Sequence, residues 1–462
     1  MKMIQIKNIN KILYIFLFFH LSLWTLVPSI SNVNLPLDTI EALAWASNLE
    51  WGFNKHPPLS AFAVGTFYLI FGSNDWAYYL LSQVFVLITF YFVWKLSNEF
   101  FSDKIFSLLS LIILETIVFF NYTTPEFNVY VCQLPLKAAA VYFFWIGIKD
   151  QNLRYMILTG IFCALGMLTH YSFIFIILSL FAYFVLFFRR NKKLVKYFYI
   201  SFFIFILILI PHIIWLFENN LETIKYAFGR TGSDSQSVLK HILNPTLFVL
   251  KQFGMTILFS FAFISILSIK KIKKLYIRIL EKKNFFIFCI TLLPLIIVLF
   301  VSLITGAKIR TMWMSTFYIF FGILVFHYFK KAINLNQIKR FFCILVFLFL
   351  LSPITYFYVS ITNDFKRTDF PGKEIARLVQ NKWDDNFVNE IKIVIGDEWS
   401  AGNLSYHLES RPKWFNDLKN KTDVISENQG VIYTGNPKIL KRLCPGVYGT
   451  IKPYGYCMIG KR

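Results

Sequence analysis

The feature that most limits how this chain can fold is a series of long, almost uncharged apolar stretches, of which 198–217 (FYISFFIFILILIPHIIWLF), 285–304 and 342–361 are the clearest. Each approaches or exceeds the roughly 20 apolar residues needed to cross about 30 Å of hydrocarbon. Composition agrees: 56% of the 462 residues are hydrophobic, 19% aromatic and only 16% charged, where a soluble domain carries about a quarter charged residues. The reading is a mainly α, polytopic transmembrane helical bundle.

A net charge of +22 would suit nucleic acid, but its placement does not. The basic residues fall in short runs between apolar segments: Arg189-Arg190-Asn191-Lys192-Lys193, Lys270-Lys271-Ile272-Lys273-Lys274, Lys330-Lys331 and Lys339-Arg340. That is the positive-inside pattern of cytoplasmic loops, and no helix-turn-helix or zinc-finger spacing accompanies it. The first apolar segment follows Lys2, Lys7 and Lys11, keeps large residues to its end and shows no small-residue cleavage site, so it reads as a retained helix rather than a signal peptide.

The expected spans are 11–31, 78–94, 105–121, 131–148, 154–169, 171–188, 198–217, 247–269, 285–304, 313–329 and 342–361. With the N-terminus cytoplasmic, every strongly basic run then lies inside. The outer loops keep only Lys55, Lys225, Arg230, Lys240, Lys308 and Arg310. The segment 59–72, about 14 residues long, is short for a span; it is expected to lie at the outer membrane face. The pair 154–169 and 171–188 must turn near Thr169-His170-Tyr171. Glu115 and Lys137 fall at similar depth and are expected to neutralise each other. About eleven spans result, making 1–361 the membrane domain, with a first outer loop at 32–77.

From 362 the composition becomes that of a soluble domain, 362–462, on the outer face. A helical pattern runs from Phe370-Pro371-Gly372 to Trp383, followed by a strand at 391–395, a helical stretch at 399–408 and a strand around 430–434: a small α/β domain. An oxidising compartment there would pair Cys444 with Cys457. Cys132, Cys163, Cys289 and Cys343 sit in apolar segments as small core residues, and no CxxC metal spacing occurs.

The outer loop 35–59, LPLDTIEALAWASNLEWGFNKHPPL, concentrates the chemistry. Asp38-Thr39-Ile40-Glu41 also fits a capping box, in which Asp38 would cap backbone amides and Glu41 reach back. Lys55-His56-Pro57-Pro58 likewise fits a helix start. Yet an acid, a lysine and a histidine at the mouth of a helix bundle suit reaction on a lipid-borne phosphate. The acid can take a proton from an attacking hydroxyl or amine, and cations can neutralise charge on a departing phosphate. Lys308 and Arg310 on the same face run against the charge bias, and arginine's planar fork matches phosphate. His170 and Tyr171, at an outer turn, are candidate lining residues. His20 and His327 are lone histidines without an assigned role.

These segments, together with EFNVYVCQLPL (126–136), GIFCALGMLTHYS (160–172), PHIIWLFENNLETIKYAFGRTG (211–232), SLITGAKIRTMW (302–313), FPGKEIARLV (370–379) and GDEWSAGNLSYH (396–407), resemble bacterial glycosyltransferase family 39 membrane proteins. These belong to the GT-C superfamily and are related to protein O-mannosyltransferases and lipid A aminoarabinose transferases. The resemblance implies a polyprenyl-phosphate-linked sugar donor, inverting transfer on the outer face, and Asp38 as the catalytic acid of the first loop. Relatives often carry Asp-Glu in tandem, where Thr39 follows Asp38 here and the second acid is Glu41. They often carry Lys-Tyr in place of His170-Tyr171, and an aromatic in place of Lys137.

The expected function is therefore an inverting glycosyltransferase of the bacterial inner membrane, with a periplasmic C-terminal domain, acting in envelope glycan or lipid A modification. Its partners are a polyprenyl-phosphate sugar donor, a glycolipid, glycan or protein acceptor, and membrane lipids, but no nucleic acid. Asp38 is the base, Glu41 its helper, and Lys55, His56, Lys308 and Arg310 surround the donor phosphate. No cofactor is required, although Asp38 and Glu41 are candidate ligands for a divalent metal. A polytopic transporter or lipid flippase is the alternative. Internal repeats and ionisable groups at mid-membrane would mark that class, whereas here the charges gather at one face.

Overall fold

In the computed structural model, residues 9–231, 238–272, 278–416 and 429–462 are described. Lys2, Lys7, Gly232, Lys273 and Lys274 of the expectations above lie outside them. Among the described residues, seven helices are long and apolar enough to cross a membrane: Ile9–Ser31, Asp75–Phe100, Val129–Lys149, Tyr171–Phe188, Lys192–Glu218, Lys282–Thr305 and Leu335–Thr362. Two bent pairs, Lys240–Met255 with Ile257–Ile264 (49°) and Thr311–Phe317 with Phe321–Tyr328 (58°), raise the number to 9 if each is one span. Leu59–Phe71 and Leu153–Met167 are shorter apolar helices. At 1.5 Å per residue they cover only about 20 Å.

Polar residues at the segment starts fix where helices begin. The Asn128 side chain accepts from the amides of Tyr130 and Val131, Asn152 from Arg154, Asn191 from Leu194 and Asp103 from Ile105. Each satisfies a donor that the first helical turn cannot pair internally. His170 likewise accepts from the Ser172 amide, at the turn expected between 154–169 and 171–188.

The expected span 105–121 is not one helix. Lys104–Ile112 is helical, and the chain then breaks into two 3-10 turns, Ile113–Thr116 and Val118–Phe120, around an extended Ile117. Non-helical backbone at membrane depth is tolerated where protein covers it, and this stretch is buried apart from Val118. The break also overturns the Glu115–Lys137 pairing. Glu115 Oε2 meets His20 Nδ1 at 2.9 Å. Lys137 Nζ donates to Thr316 Oγ1 at 2.7 Å and lies 3.3 Å from the Phe317 ring centre. Glu115 stands in the first 3-10 turn, whose tighter winding gives its side chain a different direction from the one a continuous α-helix would present.

The described residues of the tail form a five-stranded sheet, with β1 (Ile393–Ile395), β2 (Lys413–Phe415), β3 (Val431–Gly435), β4 (Val447–Ile451) and β5 (Tyr454–Ile459) in the order β2-β1-β3-β5-β4. β1 runs parallel to β2 and β3, while β5 is antiparallel to β3 and β4. The helices Gly372–Asp384 and Ser400–His407 are where the apolar spacing put them. Cys444 and Cys457 form a disulfide. Thiol alkylation of the unreduced protein should therefore modify neither cysteine, and labelling of Cys444 without reductant would contradict the pairing.

The tail is docked on the first outer loop, and the two share a core: Trp45, Phe53 and Ala61 pack with Ile375, Val379, Leu404 and Trp414. Gly402 allows the closest approach. A methyl group there would meet Ala44 Cβ at 3.1 Å and Ile40 Cγ2 at 3.2 Å. Polar bonds fix the register, with Asn34 donating to Asn403 at 2.8 Å, the Trp414 amide to Ser47 at 2.8 Å and Tyr406 to Asp75 at 2.7 Å.

Candidate active site

Pro36, not Asp38, occupies the cap position of the helix Leu37–Ala46, and no side chain of its own caps it. The Asp38 amide instead donates to Glu126 Oε1 at 3.1 Å, so an acid 88 residues away closes the helix N-terminus. This contradicts the capping-box reading: Asp38 lies within the first turn with its carboxylate free of that duty, and Glu41 turns to Lys55. The N-terminal position suits an anionic Asp38, because the helix dipole is positive there.

Glu41 Oε2 accepts from Lys55 Nζ at 2.7 Å, and Glu398 Oε1 of the tail stands 3.2 Å from the same ammonium. Burial, aided by the charges of Asp38 and Glu398, pushes Glu41 up to about 7, against the pull of Lys55. Burial depresses the Lys55 ammonium, but Glu41 and Glu398 outweigh it and leave its pKa raised. Burial also raises Asp38, offset by Lys55, Arg367 and Arg230. Glu126 goes up to about 8, through burial first and then through repulsion from Asp38.

Two adjoining buried carboxyl groups cannot both ionise cheaply, and unequal surroundings set which one does. Lys55, Arg367 and Arg230 act on Asp38, whereas Arg367 is the cation that acts most on Glu126. Glu126, titrating at about 8, therefore holds its proton near neutrality, while the cations around Asp38 work against the rise that burial causes there.

This has a consequence for stability. Glu126 titrates at about 8 in the fold against 4.5 for the free group. Its contribution is whole below 4.5 and is lost as pH rises through 8, since ionisation in the fold is costly. Glu126→Gln keeps the acceptor oxygen and cannot ionise. The variant should gain in Tm over the parent as pH rises from 5 to 8, and thermal unfolding at both values checks this; a constant difference would refute it.

His56 differs from expectation. Burial first, then His170, Lys55 and Arg230, hold its pKa well below the imidazole range, so it is neutral and offers a hydrogen bond rather than a charge. Its ring lies 5.4 Å from that of His170, 6.0 Å from Trp45 and 6.2 Å from Tyr226. His170, pushed down to about 4 by burial and Lys137, also faces Tyr130 at 5.1 Å and Trp313 at 6.4 Å. An aromatic wall of uncharged rings therefore adjoins the acids. Tyr171 is not part of it: its hydroxyl meets His212 Nε2 at 2.8 Å, and His212 Nδ1 bonds the Trp51 carbonyl.

Arg310 is exposed yet acts electrostatically on Tyr130 and Tyr226, as Arg230 does. The Arg230 guanidinium lies 5.6 Å from the Tyr226 ring centre. The Lys308 amide donates to the Thr231 carbonyl at 2.9 Å, which brings the helix Glu222–Thr231 alongside Lys308–Arg310. The Lys308 side chain is exposed, and among the described residues no ion pair joins it to the cluster. Sequence reasoning missed Glu126, Arg230 and Glu398. Their signal was position alone, since each stands in an outer segment quoted above.

A cation between Asp38 and Glu41 does not fit well, because Lys55 already engages Glu41 Oε2. Among the described residues no group of three or more His, Cys, Asp or Glu is arranged to hold a metal ion.

Residues 55–215 match the family described as dolichyl-phosphate-mannose-protein mannosyltransferase. No curated protein matches the chain in sequence. Among solved structures, ArnT from Cupriavidus metallidurans bound to undecaprenyl phosphate is similar, with TM-score 0.68, 12% identity, and 97% of this chain and 98% of that one covered. The apo form of ArnT gives 0.65 at 10% identity over the same shares. At such identity the likeness speaks for the fold, and it spans membrane bundle and tail together. The family match covers the end of the first outer loop and the helices after it, and the likeness to ArnT carries the shared fold over nearly the whole chain.

Proposed function

We propose that the protein transfers a sugar from a polyprenyl phosphate to an acceptor on the outer face of the membrane, with inversion at the anomeric carbon. The observation that carries this is the placement of the buried Asp38 within electrostatic range of Lys55 and Arg230, with Arg310 acting on the same Tyr130 that Asp38 and Arg230 act on. A transporter would have no need of a base beside phosphate-binding cations. The match to mannosyltransferases of lipid-linked sugars and the fold shared with an undecaprenyl-phosphate-bound protein support the reading.

In this scheme the acceptor hydroxyl or amine attacks C1 of the sugar, and Asp38 takes its proton. The bond from C1 to the phosphate oxygen breaks on the opposite side. The phosphodiester leaves as a monoester carrying up to one more negative charge, which Lys55, Arg230 and Arg310 neutralise. Glu41 positions Lys55, and neutral His56 donates a hydrogen bond. The rings of His56, His170, Tyr130 and Trp313 present apolar faces to the sugar. No nucleotide sugar takes part. The active face is periplasmic, in a bacterial inner membrane; the acceptor is a glycolipid, glycan or protein.

The test is sugar transfer by purified protein from a polyprenyl-phosphate sugar, alongside mass spectrometry of envelope glycolipids with and without the gene. Release of polyprenyl phosphate and a shifted glycolipid are expected. An unchanged envelope together with no turnover of any such donor would refute the reading.

A further inference from the structure

Lys55 is shared by carboxylates from two parts of the chain. Glu41 belongs to the first outer loop, and Glu398 comes from the tail, more than 340 residues on. Glu398 Oε1 stands 3.2 Å from Lys55 Nζ and also accepts from Asn54 Nδ2 at 3.1 Å. The Glu398 and Glu41 side chains are 11% and 8% exposed, and that of Lys55 is 24% exposed. The backbone behind Glu398 is pinned. Asp397 Oδ1 accepts from the Trp399 and Ser400 amides at 2.9 and 2.8 Å, fixing the turn from β1 into the helix Ser400–His407. That helix packs on Leu37–Ala46, the helix that bears Asp38 and Glu41.

One ammonium between two carboxylates is over-neutralised, so Lys55 as it stands offers little attraction to a further anion. A phosphate oxygen within hydrogen-bond distance of Lys55 would also crowd a like-charged Glu398. The contact most easily given up is the longer one, because Glu398 keeps Asn54 as a partner while Glu41 holds Lys55 at 2.7 Å. We propose that Glu398 is a positioning residue, carried by the tail, that occupies Lys55 in the donor-free site and yields it to the lipid phosphate. Binding then exchanges one anion for another. Glu398 returns to Lys55 as the lipid phosphate departs, which makes the outer-face domain part of donor recognition and product release. The inference rests on Lys55 being a phosphate ligand, as proposed above.

The test is binding of undecaprenyl phosphate, the lipid without sugar, to full-length purified protein, with turnover measured in parallel. Glu398→Gln removes the competing charge and keeps an acceptor for Asn54. It should bind the lipid phosphate about 3- to 10-fold more tightly, with donor KM and kcat both falling as release slows. In a Lys55→Met background the same change should have no effect on binding, which separates exchange at Lys55 from a general change of field. Should Glu398→Gln not fold, Glu398→Ala replaces it in the same cycle. Unchanged or weaker binding, or equal tightening with and without Lys55, would overturn the proposal. A parent protein with no affinity for the lipid phosphate would count instead against the functional reading.

Discussion

Asp38→Asn is expected to lower sugar transfer by about 10²–10⁴-fold, the usual worth of a positioned general base, while Tm changes little. The amide has nearly the same size but is essentially non-basic near neutrality. The fold gives little reason for destabilisation, because the Asp38 side chain caps nothing: Pro36 holds the cap position and Glu126 accepts the Asp38 amide. Loss of the charge also removes one cause of the rise in Glu126, whose pKa should fall from about 8. The variant should therefore lose less stability than the parent between pH 5 and pH 8. Asp38→Ala should show a similar loss of transfer, since no cap is sacrificed. Transfer from a polyprenyl-phosphate donor by fold-matched proteins is the measurement, and parental turnover in Asp38→Asn would exclude it as the base.

How far the sequence reveals this site depends on range. Loop 35–59 was legible, because Asp38, Glu41, Lys55 and His56 fall within a short outer stretch and four residues of helix bring Glu41 toward Lys55. Local spacing also misled there. The capping-box pattern is a rule about neighbours, and it cannot register that Glu126 arrives from a distant segment to take the cap's role. Glu398 and Arg230 were hidden for the same reason, since only docking of the tail and of Glu222–Thr231 brings them close. Uniformly apolar runs such as 285–304 predict helices well. The same apolarity conceals breaks, so 105–121 reads as one span although buried side chains support two 3-10 turns inside it. In the tail, β1 and β3 showed through their branched residues. β2, β4 and β5 are short or carry glycine and polar residues, and pairing rather than propensity defines them.

Lys55→Met should produce the second large loss, about 10²–10³-fold in transfer, as for removal of one donor that stabilises developing charge. Methionine keeps the length of the side chain and removes the ammonium, so the lipid phosphate loses a cation, and Glu41 and Glu398 are left facing each other. Breaking a buried pair costs several kcal/mol because the surviving charge is uncompensated. With Lys55 about a quarter exposed, water softens that penalty. The sign of its pH dependence follows from Glu41. Its folded pKa of about 7 lies above the free value of 4.5, so stability present below 4.5 is lost as pH rises through 7. Without Lys55, which lowers it, the folded value climbs further and the loss continues to higher pH. The Tm gap between parent and variant should accordingly be small near pH 5, where Glu41 is largely protonated in both, and wide at pH 8. Transfer assays with thermal unfolding at the two pH values test this. Parental transfer in Lys55→Met would remove Lys55 from the phosphate site, and a gap that narrows with rising pH would contradict the charge pairing that holds Lys55 there.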